Sequence, residues 1–272
     1  MEFGKVLLGA ILFLSGPMSA NAQGSSSHYQ VSSFQSGGTI TGTVKWKGER
    51  PNPPKLAITK NPEICDPDSE KTRDLERLEI NSDGGVANTV VYLKDVTMGK
   101  AWDLPPARQS LDQKRCRYIP HISLVPVDGN FSVQSEDPIL HTVHMTGAAS
   151  YNIPFPMINV IISRPMRRAG IVDLKCNAGH IWMNAVILVV EHPYYAVTDK
   201  NGDFRLTDVP PGQYEIVAWH EGWRVAREEP VLDVGTQTMT KRLFFTDPLT
   251  WQKKVTVEAN GTPTVEFQIS ER

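Results

Sequence analysis

The sequence predicts an all-β protein built from sandwiches, because its apolar residues recur with the two-residue period of half-buried strands. Residues 39–47 place Ile40, Val44 and Trp46 on one face, with threonine and lysine side chains on the other. Residues 264–270 alternate in the same way. No long stretch shows the period of an amphipathic helix, so strands should account for nearly all of the ordered structure.

Turn signals divide the chain into short strands. The pairs Asn201-Gly202 and Asn260-Gly261 lie between strand-like runs, and Asn-Gly is favoured in hairpin turns because both residues tolerate a positive φ. Residues 97–115 are polar and contain two consecutive prolines, which is typical of a connection between domains. A chain of 272 residues is long enough for one or two domains of this kind.

The N-terminus has the three parts of a secretory signal peptide. A lysine precedes an apolar run over residues 6–14, and small residues up to Ala22 mark a cleavage site before Gln23. We predict a signal peptide over residues 1–22 and a flexible leader over residues 23–36. The apolar run is too short to span a bilayer and no later run is longer, so we expect a periplasmic or secreted protein without a membrane span.

The charges and motifs of the chain argue against several classes of function. The net charge is -2 at pH 7 and there is no long basic run, which disfavours nucleic acid as a partner. The sequence has no GxSxG nucleophile motif, no HExxH zinc motif and no phosphate-binding loop. We therefore expect that the protein is not an enzyme.

The chain has three cysteines, and cysteines of exported proteins tend to pair. Cys65 and Cys116 lie in polar, irregular sequence, whereas Cys176 ends a strand-like run over residues 170–176. We predict a disulfide between Cys65 and Cys116, which leaves Cys176 as a free thiol. Sequence alone does not give the connectivity, so the other pairings stay open.

A hairpin pattern over residues 194–219 resembles the carboxypeptidase regulatory-like, transthyretin-like sandwich. It contains TDKNGDF, a Pro-Pro-Gly turn and a following strand. The first strands of that family are similar to GTITGTVKWKG at residues 38–48 and VVYL at residues 90–93. A long segment separates these strands from the hairpin, so the resemblance implies that a second sandwich is inserted into the first.

The intervening segment resembles a cupredoxin, the small blue-copper sandwich. The resemblance rests on His141 after an acidic turn, on the glycine-led strand over residues 170–176, and on the loop CNAGHIWM that begins at Cys176. Alternation along that strand points the Cys176 thiol into the sandwich. The predicted organisation is a Greek-key cupredoxin-like domain inserted in a transthyretin-like host, at residues 105–191 for the insert and residues 37–100 and 192–270 for the host.

The resemblance implies a mononuclear type 1 copper site. The implied ligands are a thiolate, two imidazoles and a weak axial thioether, from Cys176, His141, His180 and Met183. The loop spacing Cys-x3-His-x2-Met is one residue longer than that of the amicyanin loop and equals that of a dinuclear copper centre. A dinuclear centre needs a further cysteine where Val172 stands, so one copper ion is expected.

The first histidine ligand has alternatives. His141 and His144 are an odd number of positions apart, so on one strand they face opposite ways and only one can meet Cys176. We favour His141 over His144, with His121 as a third candidate. The family usually has asparagine after this histidine, whereas Thr142 stands here. We expect Thr142 to hold the ligand loop and to influence the thiolate.

The implied function is one-electron transfer through the copper ion, with a redox partner protein that the sequence does not identify. Two other functions remain open: a copper storage or delivery protein, and a metal-free surface-binding or adhesion module in which the insert is a scaffold. Cys176 alone would be an inert buried thiol. Trp182 is either core packing or part of a docking patch at an exposed edge of His180.

Overall fold

The computed structural model describes Met1, residues 29–233 and residues 237–270, and nearly every element in these ranges is a strand. This confirms the all-β prediction. The described ranges contain one short α-helix, α1 (Pro62–Cys65), and one 3-10 turn (Pro106–Arg108). The predicted signal peptide, residues 1–22, lies outside the described residues apart from Met1, and so do residues 23–28 of the predicted leader.

The strands are mostly short and are numbered here in chain order. The first eleven are β1 (Gln30–Val31), β2 (Gly38–Trp46), β3 (Lys55–Ala57), β4 (Thr72–Asp74), β5 (Val90–Leu93), β6 (Met98–Gly99), β7 (Ser110–Lys114), β8 (Arg117–Ile119), β9 (Ile122–Pro126), β10 (Asn130–Ser135) and β11 (His141–Gly147). The others are β12 (Tyr151–Phe155), β13 (Ile162–Pro165), β14 (Gly170–Lys175), β15 (Asn184–Val190), β16 (Tyr195–Val197), β17 (Asp203–Val209), β18 (Gly212–His220), β19 (Val225–Asp233), β20 (Thr238–Phe245), β21 (Leu249–Val257) and β22 (Thr264–Ile269).

The first sandwich is formed by β7 to β15. One sheet has the order β12-β11-β14-β15-β9 and the other β13-β10-β7-β8. Val172 and Leu174 of β14 point into the core, where they join Leu111 and Phe131 of the facing sheet. Because side chains alternate along a strand, Cys176, the next residue of this parity, also enters the core.

The second sandwich is formed by strands that lie on both sides of the first one in the sequence. Its sheets have the orders β16-β5-β18-β21 and β17-β2-β22, so the chain leaves this sandwich after β5 and returns to it at β16. Ile40, Val44 and Phe267 are among its core residues. Gly202 of the predicted Asn-Gly turn has a φ of 80°, and a Cβ there would lie 2.3 Å from the Val44 carbonyl oxygen, so the turn requires glycine.

Apolar and ionic contacts join the two sandwiches. The apolar contacts come from β5, β9, β15 and β18, through side chains that include Val90, Ile122, Leu188 and Trp219. His121 Nε2 contacts the Glu221 carboxylate, whose other oxygen lies 2.8 Å from Arg77 Nη2. Burial acts to raise the pKa of Glu221, but its interactions with His121 and Arg77 outweigh burial and lower the pKa. The buried carboxylate is thus ionised and paired, as burial requires.

Two further segments pack against the first sandwich. The segment from β3 through α1 to β4 contributes Ile58 and Ile64 to the edge of its core. The hairpin of β19 and β20 contributes Leu243. These segments lie outside the residues predicted to form the insert, and they bring additional side chains to the end of the sandwich where Cys176 lies.

The predicted leader is described from residue 29 onward. Its residues Gln30–Val31 form β1, which pairs in parallel with β6. The Tyr29 hydroxyl donates a hydrogen bond to the Lys100 carbonyl oxygen at 2.7 Å. This part of the leader is ordered because its backbone finds strand partners at the second sandwich. Within residues 29–233 and 237–270, no helix has the length and apolar character needed to cross a membrane.

Candidate metal centre

Three side chains meet at one end of the first sandwich. His141 begins β11, Cys176 directly follows β14, and His180 lies in the next loop. β11 and β14 are antiparallel neighbours with His144 opposite Lys175, so the start of β11 lies beside the loop after β14. The Nδ1 atoms of His141 and His180 are 3.2 Å apart, and Cys176 Sγ lies 4.0 Å and 3.7 Å from them. The three donor atoms surround one small space.

The three donors are closed off from solvent. His141 and His180 are both 0% exposed, and Cys176 is 6% exposed. The Trp182 ring stands edge-on to His180 with 5.5 Å between ring centroids, and its Nε1–H donates to the Cys116 carbonyl oxygen at 3.1 Å. Trp182 is buried, so it packs in the core and forms no exposed docking patch. Buried nitrogen and sulfur atoms of this kind need a hydrogen-bond partner within the protein or a bound ion.

The surroundings of Cys176 favour the thiolate form. Burial acts to raise the pKa of the thiol, but the neighbouring imidazoles of His141 and His180, with nearby backbone hydrogen bonds, outweigh burial and lower the pKa to about 5. The thiolate is the form of cysteine that ligates metals. The side chain is therefore ready to act as a metal ligand at neutral pH.

The outer nitrogen of each imidazole faces an oxygen atom. His141 Nε2 lies 2.9 Å from Asp137 Oδ2, and His180 Nε2 lies 3.2 Å from Asn61 Oδ1. Burial acts to raise the pKa of Asp137, but its hydrogen bonds with His141 and with two backbone N–H groups outweigh burial and lower the pKa. The carboxylate is therefore ionised and can only accept hydrogen bonds.

A segment from outside the two sheets covers His180, and we refer to its residues 58–65 as the cover. The Lys60 ammonium group donates to the carbonyl oxygen of Ala178, on the loop between the ligands. Cys65, at the end of the cover, forms a disulfide with Cys116, and Cys176 is a free thiol. The two disulfide sulfur atoms and a ring nitrogen of His180 lie within 4.8 Å of one another. The disulfide thus anchors the cover beside the site.

Thr142 connects β11 to the ligand loop. Its Oγ1 accepts a hydrogen bond from the Asn177 backbone N–H at 2.6 Å and lies 3.9 Å from Cys176 Sγ. The threonine hydroxyl therefore restrains the residue next to the thiol.

The other predicted site residues are Met183 and the two alternative histidines, His144 and His121. Met183 is buried in the core of the same sandwich, and its backbone N–H donates to the His180 carbonyl oxygen at 3.0 Å. Axial ligation by the Met183 thioether stays a prediction. His144 lines a groove on the opposite face of β11, where Asp173 and Phe244 also lie. His121 lies between the sandwiches, where it contacts Glu221.

Sequence reasoning missed two partners of the ligands, Asn61 and Asp137. Asn61 and His180 are separated by 119 positions, so no local pattern could relate them. Asp137 lies four positions before His141 in an acidic turn. That spacing was a usable signal, because a carboxylate near a candidate histidine ligand often accepts a hydrogen bond from its outer nitrogen.

Comparisons with known proteins give partial similarities. The carboxypeptidase regulatory-like domain family matches residues 175–270. No curated protein matches the chain. The family match starts at the end of β14, so it includes β15, which belongs to the five-stranded sheet of the first sandwich. The match covers less than half of the chain, and it includes the donors Cys176 and His180 but not His141.

Several solved structures with partial similarity are copper proteins. A mutant of oxidised amicyanin is 20% identical with a TM-score of 0.27, covering 30% of this chain and 80% of that chain. A pseudoazurin from Sinorhizobium is 16% identical with a TM-score of 0.24, covering 30% and 72%. A copper-containing nitrite reductase from Thermus scotoductus is 16% identical with a TM-score of 0.27, covering 34% and 24%. These TM-scores are too low to assign a function to this chain.

Proposed function

We propose that this chain is a copper-binding electron-transfer protein of the cupredoxin type. His141 Nδ1, Cys176 Sγ and His180 Nδ1 would hold one copper ion, with the Met183 thioether as a weak axial ligand. Thiolate, thioether and imidazole donors form the ligand set of blue-copper sites. When bound, the copper ion would supply a one-electron couple.

This proposal rests on which nitrogen atom of each imidazole faces the space beside Cys176. Because the Asp137 carboxylate can only accept, the outer nitrogen of His141 donates to it, and Nδ1 of the neutral ring then has a free lone pair. His180 is arranged in the same way against Asn61 Oδ1. Two such lone pairs, 3.2 Å apart beside a thiolate, repel one another in a buried space unless a proton or a metal ion lies among them. A cation among the three donors removes this repulsion.

The residues around the donors support electron transfer in preference to catalysis. His141 is held by β11 and by Asp137, and His180 is held by the cover. Donors that keep one arrangement in both oxidation states lower the reorganisation that accompanies electron transfer. His141 and His180 are fully buried and Cys176 is 6% exposed, so the donors present little surface to a substrate. We therefore propose an electron carrier and not an enzyme.

The same geometry disfavours the two alternative functions. A delivery protein must release its ion to a partner, whereas here a cover anchored by the Cys65–Cys116 disulfide closes the site. A metal-free scaffold gains nothing from two imidazole nitrogens 3.2 Å apart beside a thiol, because their desolvation costs free energy unless they are partnered.

We also propose that the copper-binding sandwich is an inserted domain in an exported protein. The pairing of β5 with β16 and of β2 with β17 supports an insertion after the first strands of a carboxypeptidase regulatory-like host. The disulfide and the predicted signal peptide are consistent with an oxidising compartment outside the cytoplasm. A redox partner protein would deliver or accept the electron.

A Cu(II) titration of the purified mature protein tests the proposed function through visible absorption and EPR spectra. We expect one copper ion per chain and an intense thiolate-to-copper band that disappears in Cys176→Ser. His141→Gln should weaken or abolish the band. His144→Gln is the matched control, because His144 lies on the same strand but on its opposite face. The proposal fails if the wild-type protein gains no such band, or if Cys176→Ser gains the same one.

A further inference from the structure

We propose that Asp137 is a positioning residue of this centre, which fixes the tautomer of His141 and lowers the reduction potential. The inference rests on the copper site proposed above. Asp137 contacts the outer nitrogen of His141, not its donor atom, so it acts through the histidine. Three observations support this role. They are the hydrogen bonds that hold the carboxylate, the histidine tautomer that it selects and the charge that it adds to the site.

The Asp137 carboxylate is held by three donors. Besides His141 Nε2, it accepts hydrogen bonds from the backbone N–H groups of Arg115 at 2.7 Å and Cys116 at 2.8 Å. These two residues form the tight turn between β7 and β8, with φ angles of 51° and 55°. Successive N–H groups in such a turn make an anion-binding concavity. Asp137 therefore links His141 to the turn that contains Cys116, one of the two disulfide cysteines.

This contact selects one tautomer of His141. An ionised carboxylate offers no proton, so the proton of the neutral imidazole resides on Nε2 and the lone pair on Nδ1. Nδ1 is the atom that faces Cys176 Sγ and His180. A carboxylate behind a histidine ligand also raises the basicity of the ligand, which strengthens its binding to a metal.

Asp137 also changes the balance of charge in the buried site. The thiolate of Cys176 and the carboxylate of Asp137 together carry two negative charges, which offset those of a divalent copper ion. A monovalent copper ion would leave one of these two negative charges without a positive charge among the donors, and Lys60 of the cover contacts the Ala178 carbonyl oxygen instead. Because buried charges interact strongly, Asp137 favours the oxidised ion and lowers the reduction potential.

The first experiment uses the metal-free wild-type protein. A long-range 15N–1H correlation spectrum distinguishes the two neutral tautomers of an assigned histidine ring. At a pH where the ring is neutral, we expect His141 to carry its proton on Nε2, and a neutral ring protonated only at Nδ1 would overturn the inference. The measurement needs no copper, so it tests the tautomer part of the inference even if the proposed function fails.

The second experiment compares copper-loaded Asp137→Asn with the wild-type protein. We expect a higher reduction potential and a Cu(II) affinity lower by roughly 10–100-fold, the usual cost of losing a residue that supports a metal ligand. Asp173→Asn is the matched control, since it removes an exposed carboxylate from the same sandwich without touching His141. Asp137→Glu, which keeps the charge, should lie closer to the wild-type potential.

Circular dichroism of the metal-free variants checks that each one folds. If Asp137→Asn folds and has the potential and affinity of the wild type, the inference is wrong. An equal shift in Asp173→Asn would also contradict it, because the effect would then come from overall charge. A wild-type protein that never forms the thiolate-to-copper band refutes the proposed function instead, and the tautomer measurement still stands for Asp137.

Discussion

His141 at the end of the first sandwich and His192 in the connection from β15 to β16 are both buried, but the two rings have different partners. His192, beside the second sandwich, accepts a hydrogen bond from the Tyr194 backbone N–H at 3.3 Å and lies against the Tyr195 ring with 4.8 Å between centroids. Burial lowers the pKa of His192 to about 4. His141 is buried as well, but its interactions with Asp137 and Cys176 outweigh burial and raise its pKa.

The difference shows what separates a core histidine from a candidate ligand. Burial alone favours the neutral imidazole, which packs among aromatic side chains at the His192 end. At the His141 end, a carboxylate and a thiol surround the ring, and a second imidazole lies within 3.2 Å. A cluster of several possible ligand atoms in contact with one another thus indicates a bound ion. A single buried histidine does not.

Of the changes that test this comparison, removal of the disulfide should have the largest effect on the free energy of unfolding. Cys65→Ser/Cys116→Ser frees the cover at the His141 end and leaves the His192 end without a direct change. Closing a loop with a sequence separation of 51 residues stabilises the folded protein by about 4 kcal/mol in the loop-entropy model. We expect a loss of this size in the free energy of unfolding, measured by urea titration of the metal-free protein.

The single variant Cys176→Ser is the control for this disulfide prediction. It removes a buried sulfur but no cross-link, so its metal-free form should lose much less stability than the double variant. Equal losses in the two proteins would show that the disulfide adds no stability beyond the packing of its sulfur atoms. The cover would then be held by its other contacts, such as those of Lys60 and Asn61.

The second prediction concerns pH and the His192 end. Below the unfolded pKa of about 6.5, the unfolded chain binds a proton that folded His192 rejects until pH falls to about 4. His192 therefore makes the protein less stable as pH falls through this range, by up to about 3 kcal/mol. His192→Asn retains an acceptor near the position of Nδ1 but cannot titrate.

Urea titrations of both proteins between pH 7 and pH 4 check this prediction. The stability of the wild-type protein should fall more steeply with decreasing pH than that of His192→Asn. Parallel pH profiles would mean that folded His192 accepts a proton readily. The proposed contrast between the two buried histidines would then be wrong.

Local patterns in the sequence predicted the parts of the molecule that depend on neighbouring residues. Alternation in residues 39–47 and 264–270 predicted β2 and β22, which lie side by side in one sheet. Parity along β11 predicted that only one of His141 and His144 faces Cys176, because residues of opposite parity face opposite sides of a sheet. The spacing of Cys176 and His180 kept both side chains on one loop, where they meet.

Contacts between distant segments were not predictable in this way. The cover reaches His180 from 119 positions away, and its approach depends on how the segment around α1 packs against the first sandwich. The β19–β20 hairpin adds Leu243 to the same core from a part of the chain predicted to belong to the host. For the same reason a docking patch at an exposed edge of His180 stayed open as an alternative to core packing of Trp182, whereas the structure buries both rings.

The smallest expected effect comes from a variant that tests how Asn61 holds the cover over His180. Asn61→Ala removes the side chain that meets His180 Nε2 but leaves the disulfide in place. The loss of one hydrogen bond costs about 1 kcal/mol, so transient opening of the cover should become roughly fivefold more frequent. We expect a copper-loaded variant to lose Cu(I) to a soluble chelator faster by about that factor.

Asn152→Ala is the matched control, because Asn152 is exposed on β12 of the same sandwich and should leave the extraction rate unchanged. Equal rates in Asn61→Ala and the wild type would show that the disulfide and Lys60 keep the cover closed without Asn61. A much larger increase in the rate of Cu(I) loss would show instead that Asn61 is the main side chain that keeps the cover closed. In the second case the two histidine ligands would be supported in the same way, each through a single side chain at its outer nitrogen.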